Sequence, residues 1–532
     1  MASPINTNAN YYRICKFGNL KRHEFIKKWY FLRDEYANGD SEVETRIANS
    51  FERINSLLGN SNGFIPAIPI FLINLLQNID SIVPASFSGS QFGYLYDSLI
   101  NKSLSVIKYP NPGAFNIDIN IMSNLAFNML RIRSNTFSKT DLLNITSAFS
   151  SQKKVSVNPE ALLNKMLASR LIQEVVPNTF KFRYPYAFYY FSGRHIAYNL
   201  NNPEVKEQID YMSQRLYNEK YGSIIIFICH FANNIEIIEN ILLIAYSSLE
   251  KYDMFDFDKH TDIFERAKGI MDNILTKSIV GTENDVKSNR QSELIIKDKI
   301  GLQDGSVHEP TEVSDEVEER EKDLASLSAA MRTLDVLGQI IMNYPGDIDG
   351  DVKISIIDEI HKLGMRLTEA ILSTIVLLER DFVEYVVEYV KNKKHISDTQ
   401  EIIQASQTIF SWIVAGMTCG MIRKISTSLC NDALLIAVQE TFALSSSISQ
   451  KLILADLQLN LLKKPNIREV LQLANEFDKD KSTLFAGYAL RLIVSDYLRY
   501  NTCGNSIRAQ LCNRFNLSEK RALIEGAKNR DL

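Results

Sequence analysis

The stretch between Val157 and Leu200 constrains this chain more than any other, because two periodicities follow one another there without a gap. VNPEALLNKMLASRLI opens on Asn158-Pro159, a capped helix start with proline in the first turn, where its missing N–H costs nothing. Two extended runs come next, LIQEVV and TFKFRY, joined across Pro177-Asn178. The second run alternates: Phe180, Phe182 and Tyr184 fall on one side, Lys181 and Arg183 on the other. That is the period of a half-buried two-stranded sheet. An aromatic helix, YAFYYFSGRHIAYNL, follows directly.

Helical patterns at about 119–132 and 138–148 precede this stretch, so the order is helix, helix, helix, hairpin. It is the winged-helix plan, whose third helix can enter a major groove. The residues argue against nucleic acid. The third helix offers only Lys165 and Arg170, which are not on one face, with Glu160 at its start. Adding Lys181 and Arg183 leaves too few cations for a surface whose affinity grows with each neutralised phosphate. The module is expected to pack and switch instead.

The rest of the chain reads as helix. At 532 residues, 45% of them hydrophobic, it is long enough for several buried cores. The formal charge of −4 gives no global attraction to nucleic acid or anionic lipid. The six cysteines, Cys15, Cys229, Cys419, Cys430, Cys503 and Cys512, form no CxxC pair and fit reduced thiols. The N-terminal residues lack the cationic and apolar regions of a secretion signal, and apolar runs such as IFSWIVAGMTCGMI fall short of the ~20 residues a spanning helix needs. A cytoplasmic protein with no membrane partner is the expectation. In AGMTCGM the small residues are expected to bring helices close within a soluble core. No repeat of fixed period is found, which points to an irregular bundle and not a solenoid.

FGNLKRHEFIKKW, FIPAIPIFLINLLQ, GYLYDSLI and KFRYPYAFYYFSGRHIAYNL, in that order, resemble the region of bacterial STAND NTPases from the helical lid through the winged helix. These are the NACHT-like signal-transduction ATPases used in antiviral defence. The later run LDVLGQIIMNYPGDIDGDVKISIIDEIHKLGMR also resembles the C-terminal helical region of such proteins. The resemblance implies a lid proline beside the adenine, here Pro66 or Pro69. It also implies a residue near the end of the wing that faces the β-phosphate. The family has a histidine there; Tyr184 stands in its place.

With that resemblance the chain is expected to be mainly α: a helical lid-like domain (1–118), a winged-helix domain with a small β-hairpin wing (119–200), and a helical bridging region (201–280). An acidic flexible linker (281–323) and a C-terminal irregular helical bundle (324–532) follow.

A P-loop needs G-x-x-x-x-G-K-[ST], so that backbone amides wrap the phosphates, lysine neutralises them and the hydroxyl holds Mg²⁺. No Gly-Lys pair occurs in this sequence. The chain is therefore expected to be a non-enzymatic regulatory and sensory C-terminal part of such a protein, with no catalytic residue and no metal site. It would bind no cofactor alone, and ATP or ADP with Mg²⁺ only when an upstream P-loop or effector half completes it. Its partners would be that half or other protein subunits, in an oligomer. The alternative is a free-standing helical adaptor whose winged helix binds a protein or nucleic acid. Cys229-His230, His195, the DGD at 349–351 and the DKDKS at 478–482 fit core and turn positions better than ligand sets.

Overall fold

The computed structural model describes residues 16–32, 43, 46–48, 50–51, 54–55, 67–80, 91–232, 235–277, 285–303, 322–394, 399–445, 447–462, 464–479 and 483–517. It is mainly helical with one small antiparallel sheet, and it divides into two compact units, 1–191 with 291–311 and 192–290 with 312–532.

In the first unit the helices are α1 (Asn19–Phe31), α2 (Pro69–Asp80), α3 (Gln91–Leu104), α4 (Pro112–Arg131), α5 (Lys139–Lys153) and α6 (Pro159–Ala168). α7 (Pro185–Ala197) starts there as well. Their starts follow from short polar side chains that take up backbone N–H groups left over at a helix end. Asn111 accepts from Ala114, Ser138 and Asp141 form a reciprocal capping box, and Asn158 accepts from Glu160 and Ala161. The hairpin consists of β2 (Ile172–Val176) and β3 (Thr179–Phe182), turned at Asn178, whose left-handed φ of 62° is one that asparagine tolerates. Phe180 and Phe182 are buried and Arg183 is exposed, as the alternation requires.

A third strand, β1 (Phe137–Ser138), was not legible, because two residues show no period. It pairs antiparallel with β3 and places Phe137 opposite Phe180, giving the sheet order β1-β3-β2. The four phenylalanines Phe137, Phe180, Phe182 and Phe191 are all buried, and their ring contacts run from the sheet to α7.

Composition marks 281–323 as a linker, yet residues Val286–Gln303 form helix α12; residues 304–321 lie outside the described residues. Gly18 stands at the N-cap of α1 and has no side chain to offer. The Asp298 carboxylate of α12 takes that part, accepting from the N–H groups of Asn19 (2.5 Å) and Leu20 (3.0 Å) and from the Asn19 amide (2.9 Å). A cap supplied from 279 residues away leaves no local signal, which is why this helix escapes a reading by composition.

The second unit continues with α8 (Pro203–Ser213), α9 (Glu219–Ala232), α10 (Ile235–Ser247) and α11 (Thr261–Lys277). After α12 come α13 (Lys322–Asn343), α14 (Gly350–Val376), α15 (Glu379–Lys394), α16 (Thr399–Ser428), α17 (Leu435–Ala443), α18 (Ile448–Asp456), α19 (Ile467–Phe477), α20 (Leu484–Tyr500) and α21 (Asn505–Phe515). DALLIAVQETFALSSSISQKLILADLQLNLL reads as a single helical stretch but is broken before Ile448, where Ser447 and Gln450 form a second capping box. A π-helical turn, Leu457–Leu461, closes it.

α16 lies at the centre, packed by α11, α13, α14, α15 and α18. Two glycines set how near its neighbours come. A Cβ on Gly338 would lie 2.8 Å from Cβ and 3.1 Å from the carbonyl oxygen of Ser428, and one on Gly364 would lie 2.5 Å from the Ile425 side chain.

Two expectations for α16 are corrected. Gly416 and Gly420 lie on its exposed side, and nothing described stands within 4 Å of where their Cβ atoms would be; the helical period carries them away from Ala415 and Thr418, which are buried. The helix is also long and apolar enough, by length and composition, to cross a membrane, the one such helix among the described residues. Charges are absent from Ile402 through Ile422, so the apolar stretch is longer than the run first read.

Gly338→Ala is expected to cost about 1–3 kcal/mol, because backbone atoms of Ser428 must move to admit the methyl group. Urea unfolding followed by far-UV circular dichroism, with a midpoint unchanged from the parent, would contradict that packing.

His361 of α14 is buried, with Nε2 2.9 Å from the Ser449 hydroxyl, and burial lowers its pKa to about 4. The unfolded chain protonates this ring near 6.5, so its contribution is whole above about pH 6.5 and is lost as pH falls towards 4. His361→Gln should therefore flatten the acid limb of stability between those pH values, by roughly 3 kcal/mol. An unaltered slope in denaturant titrations at stepped pH rules out the assigned protonation.

Candidate functional site

Pro69 and Tyr184 come from segments more than a hundred residues apart, and the fold brings their surroundings together. Pro69 is the first residue of α2 and is exposed. Two residues further on, Phe71 sets its ring edge-on against Tyr184 at 5.3 Å between centroids. Tyr184 lies between β3 and α7, and its ring stacks on Tyr186 at 5.8 Å and 14°. Tyr186 in turn touches Phe71 at 6.0 Å and Tyr96 of α3 at 5.8 Å. One aromatic cluster thus joins the first turn of α2, the middle of α3 and the junction between hairpin and α7. Pro66 lies outside the described residues.

The cluster is graded in depth. Tyr96 and Tyr186 are buried, Tyr184 is half-buried, and Arg183 is exposed with its guanidinium 5.8 Å from the centre of the Tyr184 ring. Burial pushes the Tyr96 and Tyr186 phenols well above their ordinary range, so both stay neutral at any physiological pH. Tyr190 of α7 donates to Asp97 of α3 at 2.6 Å and fixes that side of the assembly. At the surface the cluster presents the half-buried Tyr184 ring with the Arg183 guanidinium beside it, while Pro69 is exposed two residues before Phe71. Phe71, Tyr96 and Tyr186 were not legible as site residues, because aromatics inside apolar helices read as core.

Of the cations considered for nucleic acid, Lys165 is engaged within the fold. Lys165 Nζ lies 2.7 Å from Asp118, whose side chain is 4% exposed, and 5.1 Å from the centre of the Tyr109 ring. Lys139 pairs with Glu160 at 2.8 Å on the surface. Asp118 was missed in the sequence because an isolated carboxylate in a helix usually faces solvent.

The remaining sequence motifs gather no chemistry. Burial raises the Cys229 thiol to about 12, the opposite of what a thiolate ligand or nucleophile requires, and lowers His195 to about 4. Asp349 stands at the start of α14, and DKDKS lies partly outside the described residues. Among the described residues no group of three or more His, Cys, Asp or Glu could hold a metal ion.

Residues 135–192 match the family model described as Novel STAND NTPase 4. The match runs from just before β1, through α5, α6 and the hairpin, into α7, and so includes Tyr184 and Tyr186 but not α2. This segment is thereby related to STAND-type NTPases. No curated protein and no solved structure matches the chain.

Lys165→Met would leave Asp118 buried without its cation and should cost roughly 1–3 kcal/mol, less than a wholly buried pair because the Lys165 side chain is 34% exposed. Adding Asp118→Asn should recover most of that loss. A double-mutant cycle in thermal unfolding with no coupling between the two positions contradicts a structural role for Lys165.

Proposed function

We propose that this chain is the switch and sensor part of a STAND-type signalling NTPase that works in antiviral defence through protein contacts. The observation that carries it is the meeting of the first turn of α2 with the end of the hairpin through Phe71, Tyr184 and Tyr186. The family resemblance implies adenine beside the lid proline and phosphate near the end of the wing. In this reading Pro69 and Tyr184 would take those two positions, Pro69 two residues before Phe71 and Tyr184 against the Phe71 ring. The family-model match to residues 135–192 supports the same assignment. So does the order helix, strand, helix, helix, strand, strand with β1 paired to β3, which is that of a winged helix.

In this scheme the hairpin unit is a lever and the aromatic cluster is its bearing on the nucleotide. A phenol in place of the family's imidazole offers a hydrogen bond and a stacking face but no positive charge. Nucleotide state would then be read through shape and stacking, with Arg183 the nearest cation. The triphosphate and its Mg²⁺ need a P-loop, and these residues contain no Gly-Lys pair, so a P-loop segment from outside them would hold both. The helices of the second unit would recognise the trigger or mediate assembly. Engagement of Lys165 by Asp118 speaks for a protein-facing module over a duplex-binding one.

Steady-state phosphate release tests the non-catalytic assignment. The chain alone is expected to give no sustained ATP hydrolysis, and turnover that survives repurification and is abolished by Tyr184→Ala would falsify it. Recovery of a P-loop subunit with the tagged chain, and its loss in the Phe71→Ala variant, is the expected positive result.

A further inference from the structure

Five helices pack on α16, and four of them place residues in the core; α15 does not. It is 16 residues long, yet none of its described side chains is buried. Its apolar stripe, Phe382, Val383, Val386, Val387 and Val390, has helical spacing and is only half-buried. The Phe382 ring meets the buried Phe410 of α16 at 5.5 Å between centroids. A helix of this length is marginal alone in water, so α15 keeps its form by lying on α16.

What fixes the start of α15 is ionic. Arg266 of α11 donates to Glu379, the first residue of α15, from two guanidinium nitrogens, 2.5 Å and 3.2 Å from the two carboxylate oxygens. The two residues that join α14 to α15, Leu377 and Leu378, are 81% and 52% exposed, so no packed joint holds the chain there. An open groove of about 600 Å³ runs beside the ion pair, with Arg266, Val376, Glu379 and Gln407 in its wall, one from each of α11, α14, α15 and α16. Both ionic partners stay in reach of solvent, at 36% and 20% exposure of their side chains.

We infer that α15 is a strap that opens as one unit, pivoting at Leu377 and Leu378 when Arg266 releases Glu379, and that opening uncovers Phe410 on the central helix. The apolar area given up is already half in water, so opening costs far less than unfolding the whole unit. The core stays closed meanwhile, because α11, α13, α14 and α18 keep their hold on α16. Ions compete for a pair that solvent reaches, so salt favours the open strap. All of these residues belong to the second unit, and the strap stands or falls apart from the nucleotide reading, which concerns the first.

Hydrogen–deuterium exchange of the full-length chain, read peptide by peptide, tests it. Backbone amides of residues 383–391 are expected to exchange together, roughly a hundredfold faster than those in the middle of α14 and α16, and about two- to threefold faster again when sodium chloride is raised about tenfold. Arg266→Glu should speed the α15 amides about tenfold and leave the α14 and α16 peptides as they were. Adding Glu379→Arg should restore their protection, a recovery that a purely space-filling role for Arg266 does not produce. Phe382→Ala carries the test without touching the ion pair: it should speed the same amides while their response to salt persists. Exchange of α15 in step with α16 overturns the inference, as does exchange at the rate of an unstructured peptide. A charge-reversed pair that stays as open as Arg266→Glu alone overturns it too.

Discussion

Close approach of α13 and α14 to α16, allowed by the missing side chains of Gly338 and Gly364, is the contact on which the larger helical unit depends. Helices separated by a side chain's width leave gaps, and interiors packed like organic crystals do not tolerate them. At these two points the neighbours come to the backbone itself, so Ile425 and Ser428 of α16 are held on two sides. The same proximity brings buried charge with it. Glu359 and Arg366 of α14 pair at 2.6 Å with the carboxylate almost wholly buried, and Arg366 also donates to the Ala245 carbonyl of α10. Arg423 of α16 lies 3.1 Å from the buried Asp456. Burial raises the pKa of both carboxyl groups despite their arginines, so these pairs fix position at a net electrostatic cost that the apolar packing must offset.

The hairpin unit is held by different means. Its sheet is too small to be stable alone, and two-stranded ribbons rarely are. What keeps it is aromatic burial: Phe137 packs on Phe180 across the sheet, and Phe182 meets Phe188 and Phe191 of α7. α7 begins three residues after Phe182, at Pro185, so only Arg183 and Tyr184 separate the sheet from the helix it packs on.

The sequence made some of this plain and concealed the rest for identifiable reasons. Asn158-Pro159 announced a helix start, because a cap and a fixed φ are local properties, and the structure has it. The Phe180–Lys181–Phe182 alternation declared the inner face of β3 correctly. β1 was too short to show a period, and α12 has its key contact with residues far away in sequence. Pro69 was singled out by the resemblance, while the aromatic cluster of Phe71, Tyr96 and Tyr186 was not legible. Pairings between distant aromatic residues are a property of the tertiary fold and no window of sequence contains them. Gly416 and Gly420 illustrate a subtler limit, since small residues in an apolar run signal close approach without saying which side of the helix is approached.

How the charges are spent bears on what kind of partner the chain can take. Lys165 is held by Asp118, Lys424 by Asp335, and Arg266 by Glu379, each joining elements distant in sequence. A phosphate-tracking surface needs cations that are free of carboxylates, because counterion release is what drives that association. These three cations hold the chain's own helices together. Its open surfaces are of another kind, the rim of an aromatic cluster at Tyr184 and an uncharged helix face at Trp412. Both favour contacts driven by apolar area, where fit decides and ionic strength matters little.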